Sequence, residues 1–185
     1  MKNVYLGNTE LKKLENQVKG QFVEIGDEKF YKISNCNQMP DFFMTIVSDS
    51  DHWMYLSSNG SLTAGRKNRD NALFPYYTDD KITESSEMTG SKTILQIHKD
   101  DKTILWEPFS SRYEGVYNIV RNLYKNSYGN KIVFEEINND FGLTFRYQWN
   151  SSDKFGFVKK STLINEGSSV VEVSLVDGIQ NILPY

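Results

Sequence analysis

The chain has 185 residues, enough to bury one sizeable core and few enough for a single domain, read here as one β-sandwich over 1–185 with a peripheral N-terminal segment at 1–20. Aromatic residues make up 14% of it, which excludes a disordered chain, and a net charge of -3 with interspersed signs offers no basic field for nucleic acid. Cys36 is the only cysteine, so neither an intrachain disulfide nor a cysteine-based zinc site is available. The first residues lack the apolar core of a signal peptide, and no run approaches membrane-spanning length. These features predict a cytoplasmic protein without a membrane partner.

In chain order, Thr9 as a cap with Leu11, Leu14 and Val18 at helical spacing predicts a short helix over 9–19. From Phe22 the period changes to two. Residues 22–25 and 29–33 flank Gly26-Asp27, a hairpin turn, and the dense apolar run 41–47 reads as a strand buried on both faces. The polar stretch 83–91 reads as a surface excursion. Residues 92–97 and 103–107 bracket a second hairpin, and 115–125 with 131–137 a third. The clearest strand is 141–149, where Phe141, Leu143, Phe145, Tyr147 and Trp149 share one face. Residues 155–165 and 169–176 complete the pattern, with Val171, Val173 and Leu175 inward and a turn beginning at Asp177-Gly178. About ten strands joined by Asn, Gly, Asp and Ser turns predict an all-β fold, two antiparallel sheets packed as a sandwich, with a short N-terminal helix at most.

The unusual chemistry is concentrated between Trp53 and Ile82. Arg66, Asn68, Arg69 and Asn71 can hydrogen-bond several hydroxyls at once, and they stand beside Trp53, Tyr76 and Tyr77, whose faces can stack on sugar rings. The same composition also makes an anchored loop. Asp79-Asp80 and Glu135-Glu136 are carboxylate pairs of the type that cleave glycosidic bonds, but adjacent residues diverge, and one carboxylate of the second pair should face solvent. Asp49-Ser50-Asp51-His52 has hard ligands for a metal and equally the make-up of a self-capping turn, so no metal is assigned. His52 and His98 lack ligand spacing, Trp106 and Trp149 sit in strand patterns as core, and no phosphate-cradling loop or nucleophile elbow occurs. No cofactor is expected.

Four segments, 58–65 (SNGSLTAG), 66–81 (RKNRDNALFPYYTDDK), 145–157 (FRYQWNSSDKFGF) and 165–185 (NEGSSVVEVSLVDGIQNILPY), taken in order, resemble the N-terminal galactose-mutarotase-like supersandwich domain of cellobiose and chitobiose phosphorylase-type enzymes, glycoside hydrolase family 94. The resemblance spans 31–185. It implies an accessory domain of a glycosyltransferase (phosphorylase) or glycoside hydrolase, packed against a C-terminal (α/α) catalytic barrel of the same parent chain, supporting homodimer contacts and shaping a sugar site. On that reading the chain is the N-terminal part of a longer one and carries no catalytic residue of its own. Trp53, Arg66, Asn68, Arg69, Asn71, Tyr76, Asp79 and Asp80 are then rim or carbohydrate-binding positions. The alternative is a free-standing carbohydrate-binding or adhesion sandwich.

Overall fold

The computed structural model describes residues 3–11, 17–99 and 101–184. Fourteen strands are formed among them: β1 (Val4–Leu6), β2 (Thr9–Leu11), β3 (Lys19–Ile25), β4 (Glu28–Ser34), β5 (Phe43–Ile46), β6 (His52–Ser57) and β7 (Leu62–Arg66), then β8 (Gly90–Lys99), β9 (Lys102–Trp106), β10 (Ile119–Asn126), β11 (Lys131–Asn138), β12 (Leu143–Ser152), β13 (Gly156–Asn165) and β14 (Glu172–Gln180). The only helical pieces described are three short 3-10 turns, at Cys36–Gln38, Arg69–Asn71 and Ile82–Ser85. The fold is all-β and sandwich-like, as the alternating patterns predict.

A six-stranded antiparallel sheet runs β13-β12-β11-β10-β4-β3. Two three-stranded sheets, β14-β8-β9 and β5-β6-β7, share a single core with it. From the large sheet, β12 contributes Leu143, Phe145, Tyr147 and Trp149, all buried on one face as the period of two requires. Phe134 of β11 stacks on Tyr147 at 4.7 Å, and Phe109 meets both rings edge-on. Met54, Leu56, Leu62, Leu95, Ile97 and Trp106 close the core from the small sheets. Each large apolar side chain so buried contributes about 1.5–3 kcal/mol before chain entropy is set against it.

The helix expected over 9–19 is not formed where the chain is described. Thr9–Leu11 is a strand paired with β1, Leu6 facing Thr9 across Gly7-Asn8, while residues 12–16 lie outside the described residues. The physical reason is a repeated turn. Gly7 and Gly26 both have φ near +60°, with Asn8 and Asp27 following, so each glycine supplies the first position of a two-residue hairpin loop of the II′ kind. Gly before Asx is thus the signal for both hairpins.

Five further expectations are corrected. The run 41–47 holds an edge strand rather than a doubly buried one: Met44 and Ile46 point to the core, whereas Phe43 and Val47 are exposed. The 83–91 stretch is anchored, with Ser85, Thr89 and Gly90 buried. Asp177-Gly178 does not turn; it lies inside β14, opposite Thr93 and Lys92, with Asp177 accepting hydrogen bonds from Thr93 and Lys159. Leu175 is exposed instead of inward. The strand of the third hairpin begins at Ile119, not at Gly115.

Candidate functional site

The segment from Trp53 to Asp80 divides into groups that face different ways. Trp53 lies over Gly65, where an added Cβ would stand 2.4 Å from the indole ring, and its N–H donates to the Asn68 carbonyl at 3.3 Å. Tyr55 leans on Trp53 at 5.6 Å, Phe43 on Tyr55 at 5.4 Å, and Tyr76 meets Trp53 edge-on at 5.9 Å. The structure brings Trp53 and Tyr76 together in a row of rings that support one another.

Most of the polar candidates are engaged within the loop. Asn68 Oδ1 accepts from the Asp70 N–H and from Asn71 Nδ2, which caps the short turn at Arg69–Asn71. Arg69 pairs loosely with its neighbour Asp70 in full solvent. Asp80 accepts from the Thr78 hydroxyl, whose hydrogen bond holds its carboxyl below the ordinary range. Asp79 is exposed and is not brought to the others. Asn68, Asn71 and Asp80 thus hold the loop, and no acid–base pair is assembled from Asp79-Asp80.

Arg66 differs. It ends β7 opposite His52 and lines a cleft of about 330 Å³ with Leu73, Phe74, Trp149, Phe155, Phe157, Ile179 and Ile182. Asp153 and Lys154 complete the rim. This volume is within the range of small-molecule pockets, and its make-up of aromatic walls with a few polar groups is the usual one. His52 packs edge-on against Phe157 at 5.2 Å, and its Nδ1 is 2.7 Å from the Ser50 hydroxyl, itself 2.8 Å from Ser48. The self-capping turn weighed for 49–52 is what forms, and no group of metal-ligating side chains is found among the described residues. Trp149, expected as core, is buried, yet its indole N–H has no hydrogen-bond partner among the described residues. Lys154 sits over the exposed Phe155 ring, and the neighbouring Asp49 carboxylate holds the Asp153 carboxyl above the usual range.

Sequence reasoning singled out Arg66 of this cleft and missed His52, Phe155, Phe157, Asp153 and Lys154 as a site. Two of the available signals were a hairpin tip carrying aromatic and charged residues (SSDKFGF) and the turn before β6.

The carboxylates at 135 and 136 are corrected: both are buried, on opposite faces of β11. Glu136 accepts from Trp106 Nε1 at 2.8 Å, from the Phe109 N–H at 2.7 Å and from Arg121 Nε at 2.7 Å. Glu135 accepts from Asn122, Tyr124 and Arg146; burial alone would raise its pKa, but these partners hold it below the ordinary range. With three accepted hydrogen bonds each, and buried, these carboxylates are committed to holding the strands together. A second cavity of about 290 Å³ beside Arg121 and Cys36 is likewise committed, its guanidinium bound to Glu136 and to the Ser110 carbonyl. Burial pushes the Cys36 thiol up to about 11, so it is not a ready nucleophile.

No family model matches the chain, and no curated protein matches it.

Proposed function

We propose that this sandwich contacts carbohydrate through the Arg66–His52–Phe155 cleft, as an accessory domain of a carbohydrate-active enzyme. One observation carries the reading. Segments far apart in the chain, at 66, 73–74, 149–157 and 179–182, meet around this single cleft, and they belong to the stretches on which the likeness to the phosphorylase-type domain rests. Aromatic walls suit the C–H faces of a pyranose, and the Arg66 fork and His52 suit its hydroxyls. Isothermal titration with glucose and cellobiose tests it. Heat that saturates in the native chain and is lost in Phe155→Ala and Phe157→Ala supports the cleft; no heat for either sugar removes the reading.

Packing against a catalytic barrel is favoured by a separate observation. Val176, Ile179, Ile182 and Leu183 expose apolar surface along β14 and just after it, and one edge of β14 is unpaired among the described residues. On this reading the chain by itself turns over no disaccharide with phosphate, and steady turnover would contradict it. A free-standing binding module uses the same cleft without the barrel. Cytoplasmic location and homodimer contacts belong to the accessory reading.

A further inference from the structure

The charges around the cleft are unequal. Arg66 makes no ion pair or side-chain hydrogen bond among the described residues, and neither does Lys154, whose ammonium meets only the face of Phe155 at 5.2 Å. Several half-buried cations elsewhere are matched, Arg121 with Glu136, Arg146 with Glu135, Lys159 with Asp177 and Lys131 with Glu28, whereas Arg66 and Lys154 stand exposed at the cleft. The single carboxylate lining the cleft is Asp153. A cleft with apolar walls and two unmatched cations at its mouth is complementary to an apolar ring that carries a negative group.

Resting on the carbohydrate reading above, we infer that the ligand of this cleft is an acidic sugar, a pyranose bearing a carboxylate or a phosphate, whose anionic group is held between Arg66 and Lys154. The ring packs on Phe155 and Phe157, while the planar Arg66 fork engages two oxygens of the anion at once. Asp153 is the one group on the rim that opposes this ligand, and its removal strengthens binding.

The test titrates glucuronate, glucose 6-phosphate and glucose into the native chain, Arg66→Gln, Lys154→Gln and Asp153→Asn at low salt. At least one acidic sugar should bind about tenfold more tightly than glucose, an advantage that falls as salt rises. Glucuronate and glucose 6-phosphate compared with each other assign the anion. Arg66→Gln should abolish the advantage, Lys154→Gln should reduce it and Asp153→Asn should enlarge it. Equal affinity of the native chain for all three sugars overturns the inference and leaves the carbohydrate reading standing. Absence of binding to any of them overturns both.

Discussion

Two arginines, Arg121 and Arg66, show how the same side chain serves opposite ends. Arg121 is mostly buried on β10 and reaches Glu136 at 2.7 Å, a carboxylate that also holds Trp106 and the Phe109 N–H. Arg66 ends β7 at the surface with its guanidinium uncommitted among the described residues, beside aromatic rings that face a cleft. The first arrangement consumes its charge in keeping strands together; the second leaves it for a ligand. Burial with saturated partners marks a charge as structural, and openness without partners marks it as available.

The largest expected effect falls on the closed region. Arg121→Ala leaves Glu136 buried without its cation and should lower unfolding free energy in urea by about 3–5 kcal/mol. Replacing Arg121 and Glu136 together by apolar residues of similar volume should restore a large part of that loss; a double variant as weak as the single one would break the structural side of the comparison.

Next comes Glu87, which accepts from the Ser110 and Ser111 hydroxyls and the Ser111 N–H, with Lys92 at 3.5 Å. Burial works against its charge, but these partners prevail and bring its pKa from the ordinary 4.5 to about 2. A depressed carboxylate stabilises the fold fully above its unfolded pKa, and the contribution is lost as pH falls from 4.5 toward about 2. Glu87→Gln should cost about 2 kcal/mol at neutral pH, less below pH 3, and an acid-unfolding curve parallel to that of the native chain would contradict this.

Asn68→Ala removes the side chain that caps Arg69–Asn71 and should cost about 1 kcal/mol in thermal unfolding, without touching the cleft. Smallest of all, Arg66→Gln and Phe155→Ala should change stability by less than about 0.5 kcal/mol, since both side chains are exposed. A larger loss would show that the cleft rim belongs to the scaffold after all.

The sandwich was legible because alternation along β12 states which residues go inward, and the burial of Leu143, Phe145, Tyr147 and Trp149 follows it. Alternation was silent on Glu135. It does place that residue on the outer face of β11, but not that Asn122 and Tyr124 from one neighbouring strand and Arg146 from the other wall it off from solvent. The cleft was legible only at Arg66. Its other residues come from the β12–β13 hairpin, from 73–74 and from the stretch around 179–182, and sheet topology, which no local pattern encodes, brings them together. Asn68 and Asn71 drew attention for their hydrogen-bonding capacity, which short side chains in turns most readily spend on their own backbone and on each other.

The three indole N–H groups offer the most direct test of the cleft as a carbohydrate site. Trp106 donates to Glu136, Trp53 to the Asn68 carbonyl, and Trp149, lining the cleft, to nothing among the described residues. In a nitrogen-15 NMR titration with glucose and glucuronate, the Trp149 indole signal should shift and saturate while the Trp106 signal stays fixed. A shift confined to Trp53 would move the site to the row of rings on β5 and β6, and three unmoved signals at saturating sugar would contradict carbohydrate binding by this domain.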